Sequence, residues 1–169
     1  MGNETSELNS SLRFILDGHK IDCYELIYWP FIVDCIHGRS RNDPNSEKYA
    51  RKGFALCVQR IENNEMGFHQ RHHGTWLMLR SCTRSALVLI AGARSGMTYL
   101  LPVNWEACVQ STIELLRYWK DETGDTQDRL DILEGLIKNT TMSPNDSRKD
   151  CLYHARLEDS CQACTAKVL

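Results

Sequence analysis

The chain has 169 residues, 42% of them hydrophobic and 25% charged, with a formal net charge of −2 and a pI near 6.3. That length fits one domain and the composition is that of an ordinary globular chain. The charge lacks the basic footprint of a nucleic-acid-binding domain, whose pI usually exceeds about 9.

Residues 1–20 read as a polar N-terminal segment. MGNETSELNSSL has neither the charged start nor the apolar stretch of a secretory signal, so the secretory route is not expected, and free thiols suit a nucleus or cytoplasm setting. The sequons at Asn3, Asn9, Asn139 and Asn145 are then chance matches. Gly2 and Ser6 meet the loose N-myristoylation pattern, but the basic patch or second lipid signal that holds one acyl chain on a membrane is missing.

Residues 21–139 predict five helical segments. The first, CYELIYWPFIVDCIH, follows Asp22 as N-cap and stops at Gly38; Pro30 should kink or divide it near Trp29. After the polar loop GRSRNDPNSE, a second helix starts near Asn45 or Ser46. Its apolar set is Tyr49, Phe54, Ala55, Leu56, Val58 and Ile61, and it fades in ENNEMG.

The third segment, TWLMLRSCTRSALVLIAGA from Thr75 to Ala93, begins amphipathic and ends apolar on every side. Such a helix must be buried. Crossing a bilayer takes about 20 predominantly apolar residues, whereas Arg80 and Arg84 sit inside this segment and its uninterrupted apolar part runs only from Ala86 to Ala93. It therefore predicts the central helix of a soluble α-helical body, closing at Arg94-Ser95-Gly96.

Pro102 and Asn104 open the fourth segment. In it Val109, Ile113, Leu116 and Lys120 follow one line and Cys108, Thr112, Leu115 and Trp119 the adjacent one. Gly124 ends it, Asp125 or Thr126 caps the fifth, and Leu130, Leu133, Leu136 and Ile137 make that helix's apolar face. Residues 140–169 read as a linker and a polar cysteine-bearing tail. No alternation is long enough for a sheet. The expected fold is all-α, an irregular antiparallel bundle of about five helices. The bulky strip LIYWPFIV and the apolar third helix exceed what so small a bundle can hide, which predicts partner surface or membership in a larger helical domain.

The chemistry-bearing residues each have a structural reading that outweighs the functional one. His69, His72 and His73 could share a helix face as metal ligands, but Gln70 and Arg71 stand where a completing carboxylate would be, and a solvated helix start is favoured. Arg80 and Arg84, one turn apart, could clamp an anion. Pairing with Glu25, Asp34 or Glu114 is the favoured reading, because buried charge must be paired. Arg94-Ser95-Gly96 is not a phosphate loop. Asp121 with Glu122 and Asp128 with Asp131 lie at helix ends, where they cap or solvate.

Cys23, Cys35, Cys57, Cys82 and Cys108 are spread among apolar residues, as free buried thiols are. Cys82 sits within a helix, not at its N-terminus where a thiol is activated, and no GxSxG elbow occurs. In the tail, Cys151, His154, Cys161 and Cys164 match a small zinc site in ligand type and number, but the loop between the pairs is short and lacks the usual Gly or aromatic residues. Catalytic, cofactor and metal residues are therefore assigned to no position, no cofactor is expected, and the chain is read as a non-enzyme.

As a set, YELIYWPF with CIH, then RHHGTWLMLRSCTRSALVLIAGARSG, then LLPVNWEACVQSTIELLRYWKDETGDTQDRLDILEGLI resembles the C-terminal part of the fungal-specific transcription factor domain. That domain is the helical regulatory region found downstream of a six-cysteine binuclear zinc cluster. The resemblance runs from about Tyr24 to Ile137, and GTWLMLRSCTRSAL and the Trp105–Trp119 helix with its DETGD turn carry it best. The zinc cluster itself has no counterpart, since Cys23 and Cys35 are twelve apart, and the family's DNA-contacting basic region is absent. The resemblance implies a nuclear regulatory or interaction module with no DNA contact from this chain. Its partners would be other proteins, the upstream part of the same domain or a second copy, with a small effector possible. The alternative is a free-standing α-helical module that binds a protein or a small ligand.

Overall fold

A computed structural model describes residues 2–39, 43–71, 74–122 and 124–141, and the architecture is all-helical. Five α-helices stand among the described residues: α1 (Gly2–Ile36), α2 (Pro44–Glu65), α3 (Thr75–Arg94), α4 (Trp105–Trp119) and α5 (Thr126–Thr141). A single 3-10 turn, Thr98–Leu100, lies between α3 and α4. The cysteine-bearing tail, with Cys151, His154, Cys161 and Cys164, falls outside the described residues, as do His72 and His73.

The helix ends follow from local chemistry. At the end of α1 the Arg39 N–H bonds the Asp34 carbonyl and the Gly38 N–H the Cys35 carbonyl, with Gly38 at φ 71°. That is the paired 6→1 and 5→2 closure which glycine allows by entering the left-handed region. The same closure ends α3, where Met97 bonds to Gly92 and Gly96 to Ala93, with Gly96 at φ 77°. At the start of α2, Asp43 accepts from the Asn45 and Ser46 N–H groups at 3.0 and 3.3 Å and from Ser46 Oγ at 2.8 Å. These bonds, the Ser46 hydroxyl foremost, hold the Asp43 carboxyl below its ordinary pKa. Pro44 follows at the first helical position, where its missing N–H costs nothing. The helix thus starts one or two residues earlier than Asn45 or Ser46.

Two expectations for α1 are corrected. Asp22 does not cap a helix start: α1 begins at Gly2 and runs through it. The Asp22 carboxylate is instead taken by the side chain of Arg60 on α2, so tertiary pairing overrides its capping preference. Pro30 does not divide the helix. Pro30 is exposed, and Leu26, whose carbonyl the proline leaves without its i+4 donor, is among the most exposed residues of α1, so water can serve that carbonyl.

Helix α3 is the central element, packed against α2, α4, α5 and the 3-10 turn and more lightly against α1. Cys82, Ala86, Leu89 and Ile90 are wholly or almost wholly buried. It is not buried on every side, however. Arg80, Arg84, Leu87, Ala91 and Arg94 recur at steps of three and four and form one exposed or half-exposed stripe. The remaining circumference is covered by Phe54, Ile61, Leu100, Val109, Ile113, Leu116 and Leu133 of the neighbouring elements, which share one core with it. Along α4 both predicted lines are buried down to Trp119, and Lys120 is exposed. Trp119 Nε1 donates to the Phe68 carbonyl at 2.7 Å, which satisfies the buried indole and ties the α2–α3 connection to α4. On α5, Leu130 and Leu133 are buried while Leu136 and Ile137 are half-buried. On α2, Ala55 is exposed, and the inward positions include Ala50, Gly53, Cys57 and Arg60 instead.

Gly92 marks a close approach. A Cβ there would lie 2.8 Å from two atoms of the Phe54 ring and 3.1 Å from Leu101 Cδ2, and Phe54 is fully buried. In an open helix interior, Gly→Ala gains about 1 kcal/mol of propensity. Here the overpacking should outweigh it, so Gly92→Ala is expected to lower stability by about 1–3 kcal/mol in urea unfolding. A stabilised variant would show that the ring has room to step aside.

Candidate functional site

The site starts from one buried cation. Arg60 looks like an ordinary surface arginine in the sequence, yet only 6% of it is exposed. Its Nε donates to Glu25 Oε1 at 2.7 Å and its Nη2 to Asp22 Oδ1 at 2.6 Å, both on α1. Burial works against the guanidinium's charge, but the Glu25 and Asp22 carboxylates outweigh it and hold Arg60 above its ordinary pKa. Arg84 of α3 reaches the second oxygen of Glu25 and stands 3.9 Å from Asp22. Two carboxylates and two guanidinium groups thus link three helices with no net charge.

Arg84 has the partner expected of it in Glu25. Asp34 pairs with Arg39 and Glu114 accepts from Gln110, so neither serves the α3 arginines. Arg80 is exposed and makes no ion pair among the described residues. The two do not form an anion clamp, because Arg84 is committed to the α1 carboxylates.

Beside this cluster, residues of α1, α2 and α3 line a groove of about 360 Å³. Leu26, Trp29 and Ile32 line one wall, Val88 and Ser85 the other, and Gly53 and Cys57 the floor, with Asp22, Glu25 and Arg84 at one end. Leu26 remains 76% exposed and Trp29 48%. Ser85 is only 1% exposed. It lies against Cys57 and opposes the rise in that thiol's pKa, but the contact falls outside hydrogen-bond geometry. Ser85 Oγ therefore has no hydrogen-bond partner, alone in this among the buried side-chain polar atoms of the described residues. Thr83 and Thr112, equally buried, return their hydroxyls to the carbonyl four residues back.

The thiols are poorly placed for nucleophilic work. Burial pushes Cys57 and Cys82 up to about 12 and Cys108 to about 11, and raises Cys35 as well; all four stay protonated at neutral pH. Cys23 departs from the expected buried set and is exposed on α1. His69 is exposed, with its ring edge-on to Tyr118 at 4.7 Å. Asp121, Glu122, Asp128 and Asp131 are all exposed. Among the described residues no three His, Cys, Asp or Glu side chains come together as metal ligands, and no helix is long and apolar enough to cross a membrane.

Compared with family models, with curated proteins and with solved structures, the chain finds no match in any of the three. The resemblance to the fungal transcription factor domain therefore rests on the quoted residues alone.

Removing a partner from a buried ion pair costs roughly 3–5 kcal/mol. Arg84 continues to compensate Glu25, and both Arg84 and Asp22 are about half exposed to solvent, so Arg60→Met should cost less, about 2–4 kcal/mol. The double variant Arg60→Met, Glu25→Leu should recover most of that loss in denaturant titrations. A single variant as stable as the parent would show that the cluster does not join α1 to α2.

Proposed function

We propose that this chain is a non-catalytic regulatory and interaction module. Its working surface is the apolar strip of α1, and it belongs to the nuclear, fungal transcription-factor setting that its sequence resembles. The carrying observation is the exposure of Leu26 and Ile27, at 76% and 58%, next to Trp29 at 48%. These are large apolar side chains in one stretch of a helix whose opposite face is held on α2. Contiguous apolar surface of this kind marks a place where another protein segment binds, and aromatic and aliphatic anchors supply most of the energy when an amphipathic segment docks. The mild negative charge weighs against direct contact with DNA phosphates, and the protonated buried thiols weigh against nucleophilic catalysis.

The reading is tested by tethering the chain to an unrelated DNA-binding domain in a fungal cell and measuring reporter transcription. Reporter output should change with the parent chain and return towards baseline with Ile27→Glu, which leaves the core and the groove lining intact. The untethered chain should shift no DNA oligonucleotide at physiological salt. An inert parent fusion, an Ile27→Glu fusion as active as the parent, or sequence-specific DNA binding by the chain alone would each contradict it.

A further inference from the structure

We infer that the open stripe of α3 seats one further helix, an acidic amphipathic segment of a partner protein whose carboxylates meet Arg80 and Arg94. The inference rests on the reading of the chain as an interaction module. It adds a second surface, apart from Ile27, and the chemistry of the segment that fits there.

The stripe lies between two helices that do not meet. Successive helical residues turn by about 100°, which sets Val88 on one edge of the stripe and Trp76 on the other. Val88 lines the groove it shares with Leu26 and Trp29 of α1, and on the same edge Arg84 reaches Glu25 of that helix. The guanidinium of Arg129 on α5 instead stands 5.5 Å from the centre of the Trp76 ring. Among the described residues, α1 and α5 each pack on α3 and not on each other. The arc left between them is roughly 100° wide, the breadth of surface that a helix turns to a packing partner.

Spacing and charge then define the occupant. Leu77, Arg80, Arg84, Leu87, Ala91 and Arg94 follow one another at steps of three, four, three, four and three, the repeat with which one helix keeps a seam against another. Leu77 is 69% exposed and Leu87 only partly buried, so the seam has apolar surface to cover. Arg84 is committed to the α1 carboxylates. Arg80 and Arg94 are exposed and make no ion pair among the described residues, and a guanidinium fork is best matched by a carboxylate. The two stand about 21 Å apart along the helix, nearly four turns, with Leu87 and Ala91 between them. A nucleic-acid strand, with a phosphate about every 3.4 Å, would leave most of its charge over that apolar middle. A helix with carboxylates at both ends of its inner face and aliphatic side chains between them meets every position.

The test uses the full-length chain and two fluorescently labelled helical peptides of about five turns. Both carry leucine along one face; one has glutamate at both ends of that face and the other glutamine. By anisotropy the glutamate peptide should bind roughly tenfold tighter in dilute buffer, the worth of one charge-assisted hydrogen bond, and the preference should shrink as salt is added. Amide NMR shifts should centre on Leu77, Leu87 and Ala91. Arg80→Gln with Arg94→Gln should erase the preference while leaving the glutamine peptide's affinity unchanged. Arg80→Glu with Arg94→Glu should select a lysine-ended peptide instead. Equal affinity of the parent chain for the two peptides, shifts centred elsewhere, a preference that survives the glutamine substitutions or a reversed variant that ignores lysine would each overturn the inference. Self-association of the chain that depends on the two arginines would overturn it as well, by placing a second copy in the seat. The comparison on the parent chain needs no variant to fold. Ile27→Glu should leave peptide binding unchanged, so failure of this seat is distinguishable from failure of the α1 strip.

Discussion

Helix α3 imposes the constraint on which the other elements depend. From Cys82 to Ala93 it presents buried side chains around most of its circumference, and each direction needs apolar cover from a different part of the chain. Phe54 and Ile61 come from α2, Leu100 from the 3-10 turn, Val109, Ile113 and Leu116 from α4 and Leu133 from α5. A fully buried aliphatic or aromatic side chain contributes about 1.5–3 kcal/mol. A helix that collects several of them from every neighbour sets where those neighbours stand. Its tight approach to Phe54 at Gly92 is a consequence of the same crowding.

The one flank that α3 does not cover with core is where polar chemistry gathers. Along the stripe from Arg80 to Arg94 the helix meets solvent, and at its border Arg84 joins Glu25, Asp22 and Arg60. Without a compensating partner, the desolvation of Arg60 would weaken the structure. With two carboxylates from α1 it becomes a staple between α1 and α2. The groove lies beside that staple, lined mainly by apolar side chains, with Asp22, Glu25 and Arg84 among its lining residues. Among the described residues, Ser85 Oγ is the buried side-chain polar atom without a hydrogen-bond partner.

Much of this was legible in the residues. The bounds of α3, the glycine stops at Gly38 and Gly96 and the two buried lines of α4 follow from short-range periodicity and capping, and charge matching narrowed the partner of Arg84 to three carboxylates, of which the fold selects Glu25. What was not legible depends on long-range placement. Asp22 has every mark of an N-cap, and only the folded chain shows it 38 residues away from its partner Arg60. Arg60 itself differs in no local way from the exposed Arg51 on the same helix. Pro30 is tolerated because it falls on the solvent side of α1, a fact of orientation and not of pattern. The groove and the unpartnered Ser85 hydroxyl were invisible for the same reason, since a serine inside a run of apolar residues reads as a small core position. The excess of apolar residues on α1 could be read from LIYWPFIV, and the structure places part of it at the surface.

Native-state hydrogen exchange tests the central role of α3 most directly. The account predicts that amides from Cys82 to Ile90 are the slowest in the chain, exchanging only with global unfolding, whereas amides of α1 beyond its staple at Asp22 and Glu25 exchange through smaller, local openings. Protection that peaks elsewhere, with the middle of α3 opening before α5 or α1, would contradict it.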